Sequence, residues 1–319
     1  MSHRIAAPDV CLSRRRFFAL GVAGGAATVF PDWPAGAAEP LRSRAIPVSG
    51  EQLPVIGLGT SIVFDVGDDA AQRRERRAVL QTLFDGGGRL IDTAPSYASA
   101  ENVVGDLLAE MGARSRTFVA TKVRATDRAS AQAEMQQSLR RLHSDKLDLM
   151  QLHNVGTSDR DTAAQIAQLR EWKQAGICRY FGITHYVDEA HERLVAVMRR
   201  EKPDFIQVNY SLADRSVEER LLPAARDAGA AVLINLPFGR GKLFSAVRGK
   251  ELPVWAAEFD AASWGQFFLK FILAHEAVTC VIPGTDKPVY MIDNLQAGRG
   301  RLPDAALRKR MVDFYAALA

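Results

Sequence analysis

The chain has 319 residues, 47% of them hydrophobic and 24% charged, with a formal net charge of +4. This is ordinary globular composition, long enough for one large core or two small ones. Residues 1–38 hold four arginines and two aspartates, so the rest carries 37 basic against 35 acidic side chains; they are interspersed rather than blocked, which gives no electrostatic case for nucleic acid or an anionic membrane surface.

The N-terminus stands apart from the rest. Ser13-Arg14-Arg15-Arg16-Phe17-Phe18 opens an apolar stretch running to Phe30, rich in Ala and Gly, and Pro34-Ala35-Gly36-Ala37-Ala38 follows as a small-residue cleavage pattern. Basic, then apolar, then small is the order of an export signal, and the paired arginines resemble a twin-arginine signal. The apolar part is short of the roughly 20 residues that a stable membrane span needs. The expectation is a signal peptide over 1–38 read by the twin-arginine export machinery, a mature domain over 39–319, and a periplasmic location, or a cytoplasmic one if the signal is vestigial. Cys11 falls in the signal. Cys178 and Cys280 fall beside or inside apolar strand candidates and read as buried thiols. No Cys/His cluster has metal-ligand spacing, so no metal is expected.

From residue 46 the segment IPVSG-EQLPVIGLGT reads as a hairpin, turning at Gly50, that leads into a first strand. Helices and strands then alternate. A helix is predicted over 75–86, a strand over 89–94, a helix over 101–112, a strand over 117–123 and a helix over 130–143. A strand over 146–153, a helix over 161–176, a strand over 180–185, a helix over 189–200 and a strand over 204–211 follow. The series continues with a helix over 217–229, a strand over 230–237, a helix over 263–275, a strand over 278–283 and a helix over 288–297. Several strands are continuous apolar runs, which suits a parallel sheet covered on both faces. Eight strand–helix units over roughly 250 residues predict an α/β fold, a (β/α)8 TIM barrel with an N-terminal β-hairpin. The runner-up, an open doubly wound sheet, normally carries GxGxxG at its first strand–helix turn; GLGT (57–60) lacks the third glycine. The longest irregular stretch, 237–262, is a candidate lid or substrate loop.

Asp92, Lys122 and His153 each close a strand candidate, at intervals of 30 and 31 residues, and Tyr97 lies just after the first of these. In a barrel the strand ends gather at one rim, so the four side chains converge. An ammonium beside a phenol stabilises the phenolate, so Lys122 is expected to lower the Tyr97 pKa from its usual value of about 10. Asp92 would anchor Lys122 and keep it charged. Tyr97 would then pass a proton to a carbonyl oxygen as a hydride reaches the carbon, with His153 orienting that oxygen. Taken singly, each of the four reads as a cap, a surface ring or a solvated charge; together, at consecutive strand ends, they read as a catalytic set.

The motifs DTAPSYxSAE, ATK, LH, GITHY, QVNYS, PFGRG and IPGTxKPxxxxDN appear in order over about residues 43 to 298. Together they resemble the aldo-keto reductases. The resemblance implies NADP as hydride carrier, with NAD as the alternative, a small-molecule carbonyl or alcohol substrate, and the tetrad Asp92, Tyr97, Lys122, His153. It implies cofactor contacts as well: Thr184, His185 and Gln207 at the nicotinamide carboxamide; Gly59, Thr60 and Ser61 near its ribose; Leu236, Phe238, Gly239, Arg240 and Gly241 across the pyrophosphate; and Gly284, Thr285, Lys287, Asp293 and Asn294 at the adenosine end, where a helix N-terminus offers N–H groups to phosphate. Four positions depart from the family's pattern. His185 stands where Asn is frequent, Asn235 where a Tyr often stacks on the nicotinamide, Tyr290 where an Arg commonly faces the 2′-phosphate, and Ala98 where glycine follows the tyrosine, a change of little consequence at a negative φ. The pocket is expected from loops 123–129, 154–160, 211–215 and 237–262, with Phe64, Trp255 and Phe259 as candidate lining. The alternative function is a nucleotide-binding regulatory or sensor protein on the same scaffold with little turnover.

Overall fold

The structure, a computed structural model, describes residues 39–156 and 159–318; the expected export signal and Cys11 lie outside the described residues. Two antiparallel strands come first, β1 (Ser43–Ala45) and β2 (Gln52–Pro54), joined through the turn at Gly50. Eight parallel strands follow: β3 (Leu58–Gly59), β4 (Leu90–Asp92), β5 (Phe118–Val123), β6 (Leu147–Leu152), β7 (Cys178–Thr184), β8 (Phe205–Asn209), β9 (Ala231–Asn235) and β10 (Cys280–Val281). They pair in chain order. The bridges Ile56–Val281 and Gly59–Gly284 join the two edges, so the sheet closes into the expected (β/α)8 barrel.

The crossover helices are α1 (Ala70–Asp85), α2 (Ala100–Glu110), α3 (Arg128–Arg141), α4 (Asp159–Gln174), α5 (His191–Glu201), α6 (Leu221–Ala228), α7 (Lys242–Ala246), α8 (Trp264–Leu273) and α9 (Pro288–Ala297), and α10 (Ala305–Ala316) ends the described chain. Where the boundaries differ from expectation, local chemistry accounts for it. The first helix starts before residue 75 because Asp69 Oδ1 accepts from the backbone N–H of Ala71 (2.9 Å) and Gln72 (3.0 Å), an N-cap that carries an arginine-rich turn with no apolar rhythm. The helix expected over 217–229 begins at Leu221, which puts Pro223 in its first turn, where a missing N–H is tolerated. α10 was not predicted from the sequence: it buries only Met311, so its periodicity is faint.

The barrel interior is apolar at one end and polar at the other. Its lower layer is apolar: Leu90, Phe118, Leu149, Tyr180, Phe205, Leu233 and Cys280 meet Ile46 and Leu53 of the hairpin, which plugs that end. Each such side chain, fully buried, contributes about 1.5–3 kcal/mol. Glu51 fastens the plug by accepting from Arg89 Nη2 (2.9 Å), Tyr180 Oη (2.8 Å) and Arg179. The intervening strand residues, among them Val119, Met150, Ile183, Ile206 and Val232, face outward into the core beneath the helices.

The stretch 237–262 is partly ordered rather than one irregular loop. It contains α7 and the 3₁₀ turns Gly239–Gly241 and Val254–Phe259. Aromatic packing orders it: Phe244 lies 4.8 Å from Phe238 and 5.7 Å from Phe268, ring centre to ring centre. Two of the candidate lining residues, Phe64 and Phe259, are fully buried in the core, and Trp255 packs on Phe259, Phe267 and Phe314; all three serve packing rather than a pocket. Cys178 and Cys280 are buried free thiols, and burial pushes Cys178 up to about 12. Among the described residues no helix is long and apolar enough to cross a membrane, and no group of three or more His, Cys, Asp or Glu is placed to hold a metal ion.

Closure depends on close backbone approach. A Cβ on Gly59 would sit 2.7 Å from the Ile282 carbonyl oxygen, across the seam that Gly59 N–H helps to form by donating to Pro283 O (3.2 Å). Gly59→Ala is therefore expected to lower stability by about 1–3 kcal/mol, read as a fall in the denaturation midpoint; an unchanged midpoint would show that the seam can give way.

Candidate active site

On four strands the polar part of the barrel interior begins two residues above the apolar layer. Leu90 is followed by Asp92, Leu149 by Gln151, Phe205 by Gln207 and Leu233 by Asn235, while Lys122 sits beside Gln151 in register. Lys122 and Asp92 form a buried ion pair, Nζ to Oδ2 at 2.6 Å, with side chains 1% and 3% exposed. Lys122 Nζ also donates to the Thr93 carbonyl (2.9 Å), and Asp92 Oδ1 accepts from Gln207 Nε2 (2.7 Å) and Gln151 Nε2 (3.1 Å). Burial favours the neutral amine, but Asp92 and the neighbouring Tyr97 outweigh it and hold the Lys122 pKa above its ordinary value.

Tyr97 is set by two consecutive turns in the loop after β4, its own N–H donating to Ala94 O (3.0 Å) and its carbonyl accepting from Ala100 N (3.0 Å). Its ring centre lies 5.0 Å from Lys122 Nζ and 6.0 Å from the His153 ring, which it meets edge to face. The four expected catalytic side chains thus converge. One expectation reverses: the Tyr97 pKa is raised, not lowered. Burial dominates, and Asp92 adds to it, exceeding the opposing charges of Lys122 and Arg240. The free site presents a protonated phenol. Burial, reinforced by Lys122 and Arg124, lowers His153 to about 3, so its imidazole is neutral. Ser96 Oγ lies 3.5 Å from His153 Nδ1.

The residues expected to hold a dinucleotide lie along β3 and β7 through β10. Thr60 Oγ1 donates to Asp92 O (2.9 Å), tying the β3 end to β4, and Ser61 is exposed beyond it. Thr184 is buried at the end of β7. His185 Nδ1 accepts from the N–H of Tyr186 (3.1 Å) and Val187 (3.3 Å), which leaves Nε2–H as the donor. Gln207 is turned into the barrel toward Asp92, so its amide N–H is engaged before any ligand arrives. Leu236, Gly239, Arg240 and Gly241 all take positive φ, giving the loop with Phe238 a tight curl over the mouth. Gly284 and Lys287 are exposed just before α9, whose first residue is Pro288. Asn294 Nδ2 donates to Thr285 Oγ1 (2.8 Å). Asp293 accepts from Ser263 Oγ (2.7 Å) and Gln266 Nε2 (2.8 Å), which fastens α9 to the start of α8. Tyr290 is exposed on α9.

Asn235 leaves an acceptor open at the mouth. Its Oδ1 is buried and makes no hydrogen bond, a state that costs about 1–3 kcal/mol unless a donor arrives. Together with the curled loop and the α9 N-terminus, this fits a nicotinamide dinucleotide. Gln151 was missed by sequence reasoning; its only signal was a glutamine at an inward position of an apolar strand.

Ala98 takes φ +49, so the condition under which alanine would be of little consequence there is not met. A left-handed alanine costs about 1–2 kcal/mol, somewhat more than the chain entropy a glycine adds. Ala98→Gly is expected to leave the thermal midpoint unchanged or raise it slightly; a clear fall would contradict the strain.

Comparison with known proteins agrees with this geometry. The profile of the Aldo/keto reductase family matches residues 55–309. The methylglyoxal reductase YeaE of Escherichia coli is 29% identical over 247 residues, covering 76% of this chain and 84% of its own length. The aldo-keto reductase YhdN of Bacillus subtilis is 30% identical over 217 residues, 64% of each chain. Among solved structures, an aldo/keto reductase from Klebsiella pneumoniae in complex with NADP and acetate superposes with a TM-score of 0.69 at 26% identity, covering 83% of this chain and 93% of that one. The holo form of an aldo-keto reductase from Bacillus halodurans does so with a TM-score of 0.69 at 26% identity, covering 88% and 97%. With its closed barrel and a family match over most of its length, the chain belongs to the aldo/keto reductase family.

Proposed function

We propose that the protein reduces the carbonyl group of an aldehyde or ketone to an alcohol, with NADPH as hydride donor and NADH as the alternative. The observation that carries this reading is the buried Asp92–Lys122 pair set against a protonated Tyr97, with a neutral His153 across from it. The relatives named as reductases and the Klebsiella structure holding NADP support it. Thr184, His185 and Asn235 would hold the nicotinamide end, Phe238 to Gly241 the pyrophosphate, and Thr285, Lys287 and Asn294 the adenosine end.

When bound, the reduced nicotinamide supplies the hydride. The chain supplies the proton and the charge balance. Tyr97 gives its phenolic proton to the carbonyl oxygen as negative charge builds there. Lys122, held charged by Asp92, stabilises the phenolate that remains, so the ion pair acts most strongly after the proton has left. His153, being neutral, contributes a hydrogen bond that orients the oxygen rather than a second proton. With its pKa raised, Tyr97 is protonated at neutral pH and so starts as a proton donor.

Two outcomes test the reading. With His153 titrating at about 3, the reductive rate is expected to show no inflection near the ordinary imidazole value of about 6.5. It falls only as pH rises past the ordinary phenol value of about 10, where Tyr97 loses its proton; a bell centred between 6 and 7 would contradict this. Tyr97→Phe is expected to lower kcat by about 10²–10⁴-fold while NADPH affinity, followed by nucleotide fluorescence, stays within a few-fold; full turnover in this variant would remove Tyr97 from the reaction. The order of features in residues 1–38 also leads us to propose export in the folded state. Fractionation of cells expressing the full chain and an Arg14→Lys/Arg15→Lys variant is expected to find only the former in the periplasm; equal distribution of the two would contradict export by this signal.

A further inference from the structure

The two sides of the barrel mouth differ in charge. The expected dinucleotide residues come from the ends of β3, β7, β8, β9 and β10, which leaves the β4–β6 side, with Tyr97, Arg124 and His153, for the substrate. Arg124 stands two residues beyond Lys122 at the end of β5. Its backbone is held: its N–H and that of Ala125 donate to Glu134 Oε2 (2.8 and 3.0 Å), and the preceding Val123 carbonyl accepts from the His153 N–H (2.9 Å). Its guanidinium, in contrast, is exposed and has no ion-pair or hydrogen-bond partner among the described residues. The charges felt by His153 are those of Lys122, Arg124 and His185, with no carboxylate among them. On the opposite rim, Asp188 and Asp214 both accept from the Asn209 amide. The Lys122 charge is already matched by Asp92, and Glu134 takes only the backbone N–H of Arg124, so among the described residues the Arg124 guanidinium is a charge without a partner on the substrate side.

We propose that the substrate is an aldehyde or ketone that also carries a carboxylate, and that Arg124 is the residue that binds it. A planar guanidinium with free donors suits a carboxylate in two-pronged geometry. The inference rests on the reductase reading above. The carboxylate is a spectator in the chemistry: hydride from the reduced nicotinamide goes to the carbonyl carbon, the Tyr97 proton goes to its oxygen, and the products are a hydroxy acid and oxidised nicotinamide.

A matched pair of probes tests it: 4-carboxybenzaldehyde and its neutral methyl ester, each with NADPH, measured for kcat/KM with the wild-type chain, Arg124→Met and Arg124→Lys. The acid is expected to be preferred over the ester by roughly tenfold to a hundredfold, the worth of a charge-assisted hydrogen-bonded pair. That ratio should fall to near one in Arg124→Met, persist in part in Arg124→Lys, and shrink as salt is raised. Arg124 is exposed, so neither variant should disturb folding, and the thermal midpoint checks this. A wild-type ratio near one, or a ratio that Arg124→Met leaves intact, overturns the inference while the reductase reading stands. If neither aldehyde is reduced, the reductase reading fails and takes the inference with it.

Discussion

The buried ion pair between Lys122 and Asp92 is the constraint on which the rest of the site depends. Removing two charges from water costs several kcal/mol per ion, and the cost is recovered only when geometry is good and the remaining hydrogen-bonding capacity is used. Both conditions are met. Asp92 spends one oxygen on Lys122 and the other on the amides of Gln151 and Gln207, and Lys122 spends a second N–H on the Thr93 carbonyl. Tyr97 is then placed over a cation that cannot move away, lose its proton or be screened by water.

The barrel makes this affordable through the two-residue period of its strands. One inward row, Leu90, Phe118, Leu149, Phe205 and Leu233, closes the interior to water from below with the help of the hairpin. The next inward row carries Asp92, Gln151, Gln207 and Asn235. The lower row supplies stability and a dry floor, which strengthens the electrostatics of the upper row. A one-residue slip of any strand would exchange its inward and outward sets, so the register that packs the core also aims the chemistry. Asn235 shows the other side of this arrangement: its unpartnered oxygen weakens the free protein and is retained at the mouth.

Much of this was legible in the sequence. Asp92, Lys122 and His153 could be read because one strand and one helix occupy about 30 residues, so equal intervals imply equal positions around a rim. What stayed hidden depended on three-dimensional surroundings. Gln151 resembles an interruption in an apolar run until its amide is seen on Asp92. The direction of the Tyr97 pKa turns on burial competing with a cation, and only the fold fixes how deep the ring lies. The Asp293 carboxylate also accepts from Ser263 and Gln266, a long-range contact no motif encodes. Ala98 looked harmless because sequence carries no record of the sign of φ, and α10 lacked a buried stripe to betray it.

A double-mutant cycle on the pair addresses the central claim most directly. Asp92→Asn, Lys122→Met and the combination would be compared by chemical denaturation and by single-turnover oxidation of bound NADPH. Each single change strands a buried charge or donor and is predicted to cost about 3–5 kcal/mol, with the combination recovering much of that loss, while hydride transfer stays crippled in all three. Additive stability losses, or a combined variant that reduces substrate at the wild-type rate, would contradict an account in which this one interaction both holds the mouth together and drives its chemistry.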